Sequence, residues 1–340
     1  MPVTSRLLIA LLSASSITLA LGASFALHLE RPYWAGIAAM ILSQSVTGQS
    51  LQKGIWRMVG TVVGVSAGMA GLAYFGEDRL WLLATCCAAL VLLAMLMHES
   101  KYSYFYYSTA LMIVLVLAQS HEEAPFGIAV DRMTENLVGI ASYTLCAFCL
   151  RPQSASQEIG ALPGYGRAVL LELRGGGGLS VLRGTLGTGL RALTLLIALG
   201  LIWQVFAPPG SESTMFVEIG SLLILLGFMT KRFAAWELLF SFAAGMAASM
   251  FLYCAVLPRL SGFEELGVVI FALCFVMAWL FPLPEQGMAR MGALMPVFVL
   301  SGLGGEVIGP AAFLGGVVGL MCAALAVTLL FSVVPPVAKS

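Results

Sequence analysis

The chain has 340 residues, 60% hydrophobic and 10% charged, with seventeen basic and seventeen acidic side chains and a mean hydropathy of +0.96. A soluble domain needs about a quarter charged residues to cover its surface, so a water-soluble globule is excluded, and the zero net charge gives nucleic acid nothing to bind. Its apolar runs are continuous for about twenty residues instead of alternating, which selects spanning helices over barrel strands.

Apolar runs bounded by charges or turn residues fall at 6–28, 33–50, 56–76, 80–97, 103–120, 133–150, 190–206, 215–230, 234–257, 264–281, 288–303 and 307–333. They predict an all-α polytopic membrane bundle of about twelve transmembrane helices. The first run is read as a retained anchor. The runs divide into a six-helix half over 1–150, a cytoplasmic linker over 151–189 and a second six-helix half over 190–340. The linker opens on the helix stop Arg151-Pro152 and contains the tetraglycine Gly175 to Gly178. Its spaced arginines among Leu and Val suit a segment lying on anionic lipid. With the N-terminus inside, thirteen Lys and Arg fall on the cytoplasmic side and four outside, which predicts two cytoplasmic termini in an inner membrane. Ala67-Gly68-Met69-Ala70 in the third run recurs as Ala244-Gly245-Met246-Ala247 in the ninth. The halves are therefore expected to be parallel repeats, related by an axis along the membrane normal.

No nucleophile–base pair, phosphate loop or metal cluster stands out, so no enzymatic activity, cofactor or metal is expected. The seven cysteines all lie in apolar runs, where Cys packs as a small hydrophobe; Cys146-x-x-Cys149 lacks the second ligand pair that a zinc site needs. Polar groups inside spans are costly and tend to mark pathways. The second run turns polar after Leu42, and a helix broken near Ser43 to Gly48 would expose backbone groups only to protein or to a water-filled cavity. Those groups, with Gln44, Gln49, Lys53 and Arg57, can hold an organic anion; an ordinary cytoplasmic turn is the alternative. The fifth run starts Tyr102-Ser103-Tyr104-Phe105-Tyr106-Tyr107, an interfacial aromatic belt or a stacking surface in which Tyr104 is the candidate. The sixth opens on Asp131-Arg132-Met133-Thr134-Glu135-Asn136, whose charges lie on neighbouring helix faces and can gate, bind a carboxylate or relay protons. Glu218 and Glu237 are the other acids inside spans.

Arg31-Pro32-Tyr33-Trp34-Ala35, then Gln44, Gly48, Lys53-Gly54, Arg57 and Gly60-Thr61-x-x-Gly64, closely resembles the fusaric acid resistance family of aromatic acid exporters. The likeness continues through the tyrosine-rich fifth run and Arg132-x-x-Glu135-x-x-x-Gly139, covering roughly residues 20–152. Here a large cytoplasmic domain common in the family is reduced to 151–189, and Ser45 replaces a frequent proline. The resemblance implies a secondary transporter exporting aromatic carboxylic acids or related organic anions by proton antiport. Arg132 would then serve as a substrate ligand, and Glu135, Asp131 and Glu218 would carry the coupling proton. It also implies a periplasmic adaptor and outer-membrane channel as partners, and a homodimer. The rival readings are a channel-like anion conductor, since plant malate channels are distantly similar, and a non-transporting envelope biogenesis factor.

Overall fold

The computed structural model describes residues 3–43, 50–76, 78–99, 103–119, 125–152, 185–206, 215–229, 235–282, 286–300 and 309–335. These residues form twelve α-helices: α1 Val3–Ala26, α2 Tyr33–Ser43, α3 Ser50–Phe75, α4 Arg79–Glu99, α5 Ser103–Gln119, α6 Pro125–Leu150, α7 Leu186–Phe206, α8 Met215–Met229, α9 Ala235–Phe251, α10 Phe263–Leu280, α11 Gly287–Leu300 and α12 Pro310–Val333. The protein is an all-helical, multi-pass membrane bundle, as its composition requires. Nearly all of the 151–189 linker, with its arginine-spaced stretch, lies outside the described residues.

Local chemistry explains where several helices begin and end. At the end of α1, His28 adopts a left-handed φ of 52°. The Leu29 N–H bonds the Ser24 carbonyl at 3.0 Å, closing the helix with the five-residue return typical of such caps. Pro32 then precedes α2, where its fixed φ suits a first turn. Pro125 opens α6 in the same way, seven residues before Arg132. The α9 helix widens into a π turn over Leu252–Val256 before a 3₁₀ turn over Leu257–Arg259.

The helices fall into two length classes. Eight are long and apolar enough to cross a membrane, and four shorter apolar helices fall at Tyr33–Ser43, Ser103–Leu117, Phe216–Phe228 and Ala289–Leu300. The short ones are the second, fifth, eighth and eleventh, the same two positions in each set of six. They are also well covered: eight residues of α2 are buried, and the Ile219–Phe228 stretch of α8 is buried almost throughout. A helix about 16 Å long, as eleven residues give at 1.5 Å each, cannot reach across about 30 Å of hydrocarbon. Its ends must be met by protein or water.

Two compact units are present. One comprises Met1–Ile55, Asp131–Gly166 and Glu237–Val317, the other Trp56–Val130, Arg167–Trp236 and Val318–Ser340. In the first, α1 packs on α2 and along α10, α10 meets α11, and α11 meets α2. In the second, α7 packs on α8 and on α4, α4 meets α5, and α5 meets α8. Each neighbour pair of the first unit thus recurs in the second with both helices displaced by six. Each unit draws on both halves of the chain and holds two short helices against each other.

Glycines set the closest approaches. In α3, Gly60, Gly64 and Gly68 repeat every fourth residue and face α5: a Cβ at Gly60 would lie 2.7 Å from the Ser108 Cβ, one at Gly64 would overlap the Thr109 carbonyl oxygen, and one at Gly68 would touch Val116. In α9, a Cβ at Gly245 would lie 2.5 Å from the Ala293 carbonyl oxygen of α11. The matched glycines Gly68 and Gly245 therefore rest on the fifth and eleventh helices respectively. Gly64→Ala should lower thermal stability by about 1–3 kcal/mol, the usual cost of overpacking, because backbone cannot yield as a side chain can. Gly200→Ala in α7, where a Cβ meets nothing within 4 Å, should be neutral or slightly stabilising. Unfolding of both variants in detergent measures the difference.

Candidate functional site

Two buried polar clusters form, one in each unit. In the first unit, α6 lies against α2 at Gly139, where a Cβ would be 2.5 Å from the Ala35 carbonyl oxygen and 2.7 Å from the Ala38 Cβ. Two turns earlier on α6, this approach places the Arg132 guanidinium over the Trp34 ring, 5.0 Å from its centroid. Such a cation–π contact gains strength when both groups are dry, and Arg132 and Trp34 are both buried. Arg132 Nη1 donates to Glu135 Oε2 at 2.6 Å, one turn along the same helix. Glu135 is fully buried, and neither its Oε1 nor Arg132 Nε has a hydrogen-bond partner among the described residues. Tyr33, Asp131 and the backbone of Arg31 also lie near enough to interact with the pair.

Asp131 stands at the start of the apolar span Val130–Leu150, where the sequence reading has it, although α6 itself begins earlier, at Pro125. Arg132 and Glu135 bond to each other within the helix. Asp131 is only half-buried, whereas Asn136 is buried.

In the second unit, the α3–α5 glycine contact sets the cluster. Arg57 is one turn before Gly60, and Tyr104 is one turn before Ser108. Arg57 Nη1 donates to the Tyr104 phenol oxygen at 3.1 Å. The Trp56 and Phe105 rings meet edge-on at 5.9 Å, and Tyr104 and Tyr107 lie 6.5 Å apart. Arg57 is 1% exposed, so it is a core residue of α3 and not part of a cytoplasmic turn. The physical reason is that α3 starts at Ser50, six residues before the apolar run that marked it in sequence. Lys53 lies on the same helix, half-buried.

Among the described residues, Glu218 and Glu237 belong to neither cluster. Gln44 and Gln49 lie outside the described residues; α2 ends at Ser43 and α3 begins at Ser50. Glu218 is half-buried in the first turn of α8, and Glu237 is exposed on α9. Trp34 and Arg290, neither counted as a candidate ligand from sequence, are buried. The signal for Trp34 was its place between Pro32-Tyr33 and Ala35 beside a short apolar run. With Arg57, Arg132 and Arg290 buried, the thirteen-to-four division of basic residues loses two from one side and one from the other and stays strongly uneven.

Removing one member of the buried Arg132–Glu135 pair strands the other in a dry site, at about 3–5 kcal/mol. Glu135→Leu should therefore destabilise strongly, and Arg132→Met combined with Glu135→Leu should destabilise less than Glu135→Leu alone. A double-mutant cycle on detergent-solubilised protein tests this; additive losses would show that the two side chains do not depend on each other.

Residues 6–162 match the model of the fusaric acid resistance protein family. The chain is also similar to the p-hydroxybenzoic acid efflux pump subunit AaeB of Enterobacter cloacae subsp. cloacae, 24% identical over 159 residues that make up 43% of this chain and 24% of that protein. The proteins of the same name from Escherichia coli O1:K1 and Shigella boydii serotype 18 match at the same identity and coverage. The aligned region thus spans about a quarter of the length of these curated relatives. No solved structure gives a significant match.

Proposed function

Because residues 6–162 match the fusaric acid resistance family, and this region contributes both buried arginine clusters, we propose that the protein is a secondary transporter exporting aromatic carboxylic acids or related organic anions. The observation that carries the reading is the Arg57–Tyr104 bond, a buried guanidinium paired with a neutral phenol and set among aromatic rings. A guanidinium offers a planar donor fork that suits a carboxylate. Phenol and indole rings offer faces on which an aromatic substrate stacks. The name of the relatives, p-hydroxybenzoic acid efflux pump subunits, is consistent with a substrate that has both features. The division of basic residues favours an inner-membrane protein with both termini cytoplasmic, and a tag at the C-terminus should be accessible only from that side.

Uphill export needs an energy source, and the sequence has no nucleotide-binding loop. We assign coupling to protons through Glu135, with Asp131 and Glu218 as secondary acids. A carboxylate hydrogen-bonded to Arg132 inside the bilayer can switch between an ionised, paired state and a protonated state that releases the arginine. The released guanidinium would then be available to a substrate carboxylate. The displaced-by-six recurrence of helix neighbours supports two six-helix repeats over 1–150 and 190–340, joined by 151–189. The relatives' description as a pump subunit fits partners beyond this chain, and we include a periplasmic adaptor, an outer-membrane channel and a homodimer in the proposal.

Proteoliposomes loaded with labelled p-hydroxybenzoate test the reading. Uphill movement should occur only with a pH gradient. Glu135→Gln should abolish uphill movement while leaving downhill exchange, and Arg57→Ala should weaken the apparent affinity for substrate about 10- to 100-fold, the loss of one charge-assisted bond. Flux that runs at one rate with or without the gradient, and survives Glu135→Gln, would instead identify an anion conductor.

A further inference from the structure

Arg290 takes no part in the function argued above, yet it is among the most enclosed charges in the protein. It is the fourth residue of α11 and 2% exposed. Its Nε and Nη1 are buried, and among the described residues neither has a hydrogen-bond partner and no carboxylate pairs with the guanidinium. Among the described residues, the titratable group near enough to interact with it is Cys274 on α10, a thiol and not an acid. The elements around α11 offer nothing better. The described part of α2 has no charged residue, and α9 presents Leu238, Ser241 and Phe242 to Gly292. The acids of α10, Glu264 and Glu265, are exposed in its first turn.

Arginine does not escape this situation by losing its proton. An unpaired buried cation is costly, and such groups inside membranes mark ligand pathways. The span itself carries a second pointer. It is one of the four short helices, and Pro296 interrupts it. Proline has no N–H to give the Gly292 carbonyl four residues back, and that oxygen lies against Gly245 of α9. Short or proline-interrupted spans at matching positions of two halves are where transporters of this build hold their cargo. The fifth helix, its counterpart, brings Tyr104 to Arg57.

We infer that Arg290 is a second carboxylate-binding group, taking the anionic head of a small organic acid in the unit that also contains Arg132. This rests on the transport reading for the class of ligand. The interaction is a forked guanidinium–carboxylate bond in a site that lacks any other counter-charge among the described residues.

The test is thermal unfolding of the purified full chain in detergent, titrated with benzoate and p-hydroxybenzoate, with chloride as the control anion. Either acid should raise the wild-type Tm. In Arg290→Gln the apparent affinity should fall about 10- to 100-fold, and the ligand-free Tm should equal or exceed that of wild type, since a stranded charge has been removed. Arg290→Lys keeps the charge without the fork and should bind more weakly than wild type; it decides the matter if Arg290→Gln does not fold. Wild-type affinity in whichever variant folds overturns the assignment, as does the absence of any carboxylate-induced shift in the wild type. Matching losses of ligand-free stability in Arg290→Gln and in Glu285→Gln or Glu306→Gln overturn it too, by showing that the chain supplies its own partner. Flux in proteoliposomes separates this from the broader reading. Binding through Arg290 without transport keeps the site and removes the transporter, and transport with unaltered Arg290→Gln binding does the reverse.

Discussion

Helices in a bilayer gain little from hiding apolar surface, because lipid is as apolar as leucine; they hold together where their backbones come close. In this protein such approaches are made by glycine. The Gly60, Gly64 and Gly68 ridge of α3 fits against Ser108, Thr109 and Val116 of α5, Gly139 of α6 meets Ala35 of α2, and Gly245 of α9 meets Ala293 of α11. These contacts fix helix register within each unit. Register in turn decides which polar side chains can touch: Arg57 meets Tyr104 because Gly60 meets Ser108, and Arg132 meets Trp34 because Gly139 meets Ala35.

Short helices are the second consequence. Seventeen residues or fewer, at 1.5 Å each, leave a span ending at or inside the hydrocarbon boundary. Such a helix is stable only when other helices or water cover its ends. Here α2 and α11 cover each other in one unit and α5 and α8 in the other. The long helices show lipid their Leu, Val and Phe side chains, as with Leu193, Ile197 and Leu201 along α7. Each buried arginine lies on a short helix or meets one: Trp34 of α2 faces Arg132, Tyr104 of α5 bonds Arg57, and Arg290 belongs to α11.

The two clusters satisfy their guanidinium groups differently. Arg132 has a carboxylate and an indole face, whereas Arg57 has a phenol. The Glu135 carboxylate neutralises Arg132 until it is protonated, whereas the Tyr104 phenol bonds Arg57 without carrying a charge of its own. Burial strengthens both interactions, since the screening that makes surface pairs nearly worthless is absent.

Composition and periodicity by themselves determined the solvent, the helical class and the number of helices, because a lipid-facing chain of twenty-residue apolar runs has no other way to satisfy its backbone. The short motif at Arg31 to Ala35 and the spaced Gly60 and Gly64 were also legible, since each residue type there has a steric or electronic reason. Helix starts were not. Apolar runs miss the polar first turns of α3 and α6, and they carry no sign that Arg57, Arg132 and Glu135 are buried. Arg290 was hidden for the same reason, as a charge three residues into a helix reads as a cytoplasmic anchor unless its neighbours are known. Only tertiary structure decided that α2 pairs with α11 and α5 with α8, and which guanidinium has a carboxylate. Helix pairing depends on contacts between segments far apart in the chain, and hydropathy carries no record of which helix lies beside which.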